Sequence, residues 1–316
     1  FTNSLLVGTS STGTLSSADG NTGVGIEAFS SLTSGDNNTA VGFAALCDNT
    51  TGSENTAVGK TALVRNTTAS SNTAVGMNSL FTNTTGASNT AVGGCSLFAN
   101  TTGEDNTAIG KNALITNTTG DHNVAVGLEA LNKNTTADNN VAVGTCASGC
   151  NTTGHSNVAI GFSALCTNTT GDQNIAIGLQ TLINSTTADN NTAVGYNAMR
   201  ANTTGTLNTA IGECAMISNT TADNNVAVGA RALKTNTTGE PNVAIGRNAL
   251  EYNTTGVCNT AVGYNSLDAN TTGGCNTGVG VNALGANTEG ARSTAIGHDA
   301  LCSNTVNGGH TAVGRL

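Results

Sequence analysis

Tryptophan is absent from this chain, proline occurs once (Pro241), and aromatic residues make up 3% of its 316 positions. A compact core of that size would draw on large apolar side chains, so the interior expected here is thin and made of small residues. Charge is scarce too, at 9% of residues. That is too little for a disordered polyelectrolyte, and recurrent apolar positions argue the same way. Ten Lys and Arg against nineteen Asp and Glu leave a net charge of −9. Basic residues spread this thinly cannot form the phosphate-tracking stripe that nucleic-acid binding needs. No run of about eighteen apolar residues occurs, so no membrane insertion is expected. The chain begins at Phe1 and ends at Leu316, both in mid-repeat, and is expected to be a processed product or a segment of a longer fibre protein.

What the sequence does contain is one sentence written repeatedly. Asn106-Thr-Ala-Ile-Gly-Lys-Asn-Ala-Leu-Ile-Thr-Asn-Thr-Thr-Gly-Asp-His122 is seventeen residues long, and the text stays aligned at that period from Ser4 to His310 without insertion or deletion. A fixed short period marks a solenoid, in which each repeat stacks on the one before. The expected organisation is a single β-solenoid over 1–316, with eighteen full repeats over 4–309 and partial repeats at both ends. The opening repeat, Thr9 to Asp19, keeps the length but loses the usual turn, and reads as an adaptation at one end.

Numbering the repeat from one to seventeen, slot one is Asn in sixteen of nineteen occurrences, slot four is always Val or Ile, and slot five is always Gly. Slots twelve to fifteen read Asn-Thr-Thr-Gly or Asn-Thr-Thr-Ala. The β-branched residues of slots two and four, flanking Ala, predict a short strand, and slots seven to ten predict a second. Gly at slot five suits a bend or a close chain approach, and Gly at slot fifteen offers a left-handed turn residue. The fold class expected is therefore all-β, a parallel β-solenoid or β-roll of seventeen-residue coils. Coils about 4.8 Å apart would make a rod roughly 85 Å long. Like residues then stack as ladders: Gly42, Gly59 and Gly76; Val41 and Val58; Asn49, Asn66 and Asn83, whose amides bond up and down the stack.

Slots three and four point to opposite faces, yet both are apolar. A roll has one interior, so a second apolar face, kept small by Ala, suggests that another chain covers it. Uncapped ends would also invite head-to-tail stacking.

Chemistry is sparse. Gly59-Lys60-Thr61 resembles the end of a phosphate-binding loop, but the earlier glycine is replaced by Glu54. Thirteen Asn-Thr-Thr runs from Asn49 to Asn270 match the N-glycosylation acceptor, yet their spacing favours a structural turn. Slot sixteen collects Asp19, Asp36, Glu104, Asp121, Asp138, Asp172, Asp189, Asp223 and Glu240. Within that column Asp121, Asp138, Asp172 and Asp189 are calcium candidates, weighed against a solvated edge. The four His and nine Cys share no zinc pattern, and no nucleophile has a predictable His partner, so neither catalysis nor a cofactor is expected. Cys258 and Cys275 occupy slot seventeen of adjacent repeats and are the disulfide candidate.

The run Gly-x-x-Asn-Thr-Ala-Val-Gly-x-x-Ala-Leu, as in Gly52 to Leu63, resembles the head repeats of YadA-like trimeric autotransporter adhesins. It is also similar to the Asn-Thr-Ala-Val-Gly repeats of phage- and giant-virus-type tail-fibre proteins. The resemblance covers nearly the whole chain on five or six slots per repeat. It implies a left-handed roll, a homotrimer or filament of like chains, and display outside the cell, at the cell surface or on a virion. The longer Asn-Thr-Thr-Gly turn departs from the adhesin pattern. The expected function is that of a self-associating, possible adhesive fibre subunit contacting a host or environmental surface, and not an enzyme. An ice-binding solenoid with Thr ladders is the alternative.

Overall fold

Every seventeen residues the chain forms the same three-residue strand, and each strand lies parallel to the next. In the computed structural model, which describes residues 4–8 and 17–315, the chain divides into two units, Phe1–Asn157 and Val158–Leu316. The first carries β1 (Leu5–Val7), β2 (Thr22–Val24), β3 (Thr39–Val41), β4 (Thr56–Val58) and so on to β9 (Val141–Val143). The second carries β10 (Val158–Ile160) to β19 (Thr311–Val313). Partners stand one period apart: Thr39 faces Thr56, Ala40 faces Ala57, and Val41 faces Val58. No helix occurs among the described residues. Each unit is a parallel β-solenoid of seventeen-residue coils. The divergent repeat at Thr9 falls mainly on residues 9–16, outside the described residues, as do residues 1–3 and 316.

Thr and Val fit a pleated surface, and the strand ends where slot five turns it. Gly42 and Gly59 both sit at φ +138, and a Cβ built on Gly42 would stand 2.5 Å from the carbonyl oxygen of Gly59. Two separate reasons therefore exclude any side chain: the backbone angle and the close approach of the next coil.

The interior differs from the expectation in a way that matters for function. Slot-three Ala, not slot-four Val or Ile, faces inward: Ala40, Ala57 and Ala74 are fully buried, while Val41, Val58 and Ile109 remain 36%, 37% and 41% exposed. The Ala slots thus leave no room for a neighbour. They let the strand pack tightly on its own coil, and the larger β-branched residues are turned out.

Slots seven to ten are not a strand. They form a run of turns in which slots seven and nine are left-handed, as at Ala44 (φ 52) and Leu46 (φ 49). A strand would send slots eight and nine to opposite faces, yet Ala45 and Leu46 are both fully buried. The two left-handed residues together cost roughly 2–4 kcal/mol. Burying Leu returns about 1.5–3 kcal/mol, and the turned peptides still bond between coils, from Leu46 N–H to Ala62 O (3.1 Å) and Ala44 N–H to Ile26 O (2.9 Å). The core is accordingly a column of Leu46, Leu63 and Leu80 against the Ala column of slot three and a slot-eight column of Ala45, Ala62 and Ser79.

Slot fifteen is a further correction. Gly52, Gly86 and Gly103 are absent from the positive-φ positions, and the left-handed residue of that turn is slot seventeen, as at Asn37 (φ 57) and Glu54 (φ 61).

Candidate functional site: buried ladders and an outward apolar face

Asn at slots one and twelve is buried in coil after coil, and burial obliges its amide to find partners. Asn66 Nδ2 donates to Asn49 Oδ1 (2.9 Å) in the coil before and to Ala69 O (2.9 Å) in its own. Asn55 Nδ2 donates to the same Ala69 O (2.9 Å) and to Asn38 Oδ1 (3.1 Å), while Asn55 N–H donates to Asn38 Oδ1 (2.9 Å). The slot-fifteen carbonyl thus receives two amides and clasps the coil shut. That acceptor escapes a reading of side chains alone, because a backbone oxygen leaves no mark in the sequence. Asn49, Asn66 and Asn83 stand in this ladder with their amides engaged, so the Asn-Thr-Thr turn is structural. Thr50 adds a second link, its hydroxyl donating to Thr67 O (3.0 Å).

The acidic column is built in rather than merely solvated. Asp121 Oδ1 accepts the Glu104 N–H (2.8 Å), Asp138 Oδ1 the Asp121 N–H (2.8 Å), and Asp189 Oδ1 the Asp172 N–H (2.8 Å). His155 Nδ1 serves likewise for Asp138 N–H (2.9 Å). Each side chain tethers the preceding coil at its slot-sixteen amide. Among the described residues no group of three His, Cys, Asp or Glu is arranged to hold a metal ion. Of the four calcium candidates, Asp121 and Asp138 stack in the first unit and Asp172 and Asp189 in the second, one per coil rather than around a point.

The remaining titratable groups are scattered. Lys234 pairs with Glu251 at 3.3 Å, and Glu251 is nearly buried. One coil further, burial raises the Asp268 carboxyl above its ordinary value, with the Glu251 charge adding to the rise. Burial also pushes up the Cys47, Cys146 and Cys214 thiols. Cys258 and Cys275 are free thiols, both exposed. A cavity of about 520 Å³ beside Leu301, Asn304, His310 and Ala312 is lined at slots that elsewhere form the interior, and so belongs to the last coil's own core.

The outside is where a partner could act. Slot four presents Val24, Val41, Val58, Ile109 and Val143 in the first unit and Ile160, Ile211, Ile245 and Ile296 in the second, all exposed. Slot six adds Ile26, Phe43, Met77 and Leu128, then Phe162, Leu179, Tyr196 and Tyr264. At the turn, slot fourteen is a file of exposed Thr from Thr51 to Thr153 in the first unit and another from Thr170 to Thr272 in the second. The left-handed slots were not anticipated, although Asn at Asn78, Asn112, Asn37 and Asn139 carried the signal, since Asn enters that conformation more readily than most residues.

Neither a protein-family model nor a curated protein matches this sequence.

Proposed function

We propose that this chain is a structural subunit of an extracellular, cell-surface or virion fibre, which associates with further copies of itself and adheres weakly and repeatedly to a host or environmental surface. The observation that supports it most is the outward Val and Ile of slot four. A solenoid whose interior is already filled by Ala and Leu has no internal use for them. A regular apolar file on the outside of a protein marks an interaction surface, and a homopolymer of like coils offers the matching file on a second copy. Because the file runs along the flank, side-by-side association, as in a homotrimer, is favoured over head-to-tail filaments. The resemblance to YadA-like adhesin heads and tail-fibre repeats points the same way. Adhesion would arise from avidity over repeated coils, with no catalytic step. Light scattering on the 31.1 kDa chain tests the reading: a multiple of that mass supports it, and a monomer at micromolar concentration refutes it.

Ice binding is the second reading, and it rests on the exposed Thr file at slot fourteen. Slot-thirteen hydroxyls are committed to carbonyls of the next coil, so only slots two and fourteen could order water. Thermal hysteresis at millimolar protein supports this reading, and its absence removes it.

A further inference from the structure

The slot-sixteen tether is missing at isolated points such as Ala87, and its longest break is one stretch of the second unit. From Asp36 to Glu240 a side-chain oxygen or nitrogen at that slot accepts the amide of the coil before in most coils, the last case being Glu240 accepting from Asp223 N–H. The next four slot-sixteen residues are Val257, Gly274, Ala291 and Gly308, none of which has a side-chain acceptor. In that stretch, and nowhere else among the described residues, slot seventeen of two successive coils is Cys: Cys258 and Cys275. The corner that side-chain acceptors tether in most other coils carries a pair of thiols here.

The pair is geometrically matched. Cys258 N–H donates to Pro241 O (2.8 Å) and Cys275 N–H to Val257 O (2.9 Å), so the two stand at equivalent points of stacked coils. Their φ angles are 58° and 60°, so the two residues share one left-handed backbone conformation. The coil spacing can be read from Phe81 and Phe98, one period apart, whose rings stack with centroids 5.0 Å apart. Cα atoms at about 4.8 Å fall inside the roughly 4.4–6.8 Å range of disulfides. Both side chains are exposed and open to a small reagent. The other seven Cys offer no such pair: Cys47, Cys166 and Cys302 hold slot ten, Cys95, Cys146 and Cys214 hold slot seven, and Cys150 holds slot eleven.

We propose that Cys258 and Cys275 form a dithiol modification site that small-molecule disulfides of the glutathione class oxidise to an inter-coil cystine. One thiolate attacks a sulfur of the reagent, forming a mixed disulfide and releasing one reagent thiolate. The second thiolate then attacks the protein sulfur of that mixed disulfide, expelling the second reagent thiolate. Two protons pass from the protein thiols to the released thiolates, and two electrons pass to the reagent. The cystine closes a seventeen-residue loop, covalently replacing the tether that Val257 and Gly274 cannot make. In an oxidising compartment it persists, and in a reducing one it opens.

The test uses the full chain, folded, incubated with oxidised glutathione, quenched with iodoacetamide and mapped by mass spectrometry. The expected result is a Cys258–Cys275 linked peptide, two fewer alkylatable thiols and no glutathione retained at either position. In C258S or C275S the surviving thiol should keep one glutathione, because the resolving attack is lost. Glutathione retained on both residues of the wild-type chain, alkylation of both, or a cystine joining either to another Cys would overturn the proposal. Circular dichroism of the single variants separates a folding defect from a loss of chemistry, since each substitutes one exposed turn residue.

Discussion

At the scale of single residues, the ladders identify their own weakest rung. Ser185 stands where other coils of its unit have Asn, and its Oγ is buried without a partner. Asn202, one coil on, keeps its bond to Gly205 O but finds no amide oxygen in the coil before it. Elsewhere that link is made at 2.8–3.3 Å, as from Asn219 to Asn202 (2.8 Å) and from Asn236 to Asn219 (3.3 Å). Ser185→Asn should supply both the missing acceptor and an engaged amide, stabilising the fold by about 1–2 kcal/mol. The urea midpoint should rise with an unchanged slope; an unchanged midpoint would mean that water already serves the gap. Asp268 gives a pH-dependent counterpart. Its folded carboxyl titrates above the unfolded value of 3.8, so its contribution is fully present below that value and is lost as pH rises through the folded one. Asp268→Asn should therefore raise the melting temperature at pH 7 and leave it nearly unchanged near pH 3. A fall at pH 7 would show that the ionised form is preferred in the fold.

At the scale of one coil, the two glycine slots should behave differently. Gly59→Ala places a side chain at φ +138 and 2.5 Å from Gly76 O, and should cost about 3 kcal/mol or more. Gly52→Ala enters a slot that is not left-handed and that Ala69, Ala137 and Ala188 already occupy, so the cost should stay within roughly 1 kcal/mol. Its Cβ, built on the Gly52 backbone, crowds Ala69 O, but the coils that carry Ala show that the backbone accommodates it. Equal losses in urea titrations of the two variants would refute the distinction. The coil's length, its strand and the need for Gly at slot five were legible in the sequence because each follows from a period or a property of one residue type. The side of the sheet was not. Thr-Ala-Val has apolar groups on both faces, and which face turns inward depends on where the following Leu must go. Leu46 reaches the core only through two left-handed residues, a choice made by the packing of the whole coil. The same holds for the Ala69 carbonyl, which becomes an acceptor only when slots one, twelve and fifteen meet in space.

At the scale of the molecule, the question is whether the outward file is strong enough to bring copies together. Complete burial of Val or Ile is worth about 1.5–3 kcal/mol, so one already three-fifths covered has roughly 0.6–1.2 kcal/mol left to gain. The nine strands of the first unit then offer on the order of 5–10 kcal/mol, against an association cost of about 4–15 kcal/mol. Slot four alone comes near break-even, and Ile26, Phe43, Met77 and Leu128 beside it tip the balance towards association. Val58→Lys combined with Ile109→Lys should therefore lower the light-scattering mass to that of one chain. These positions are three coils, or about 14 Å, apart, beyond the screening length of about 10 Å at 0.1 M salt, so the new charges do not destabilise the coil by mutual repulsion. Thr68→Lys with Thr119→Lys, on the slot-fourteen edge of the same two coils, adds the same charge elsewhere and should leave the mass unchanged. If both double variants dissociate, net charge rather than the apolar file governs assembly. If neither does, copies meet on another face and the slot-four side chains need a different explanation.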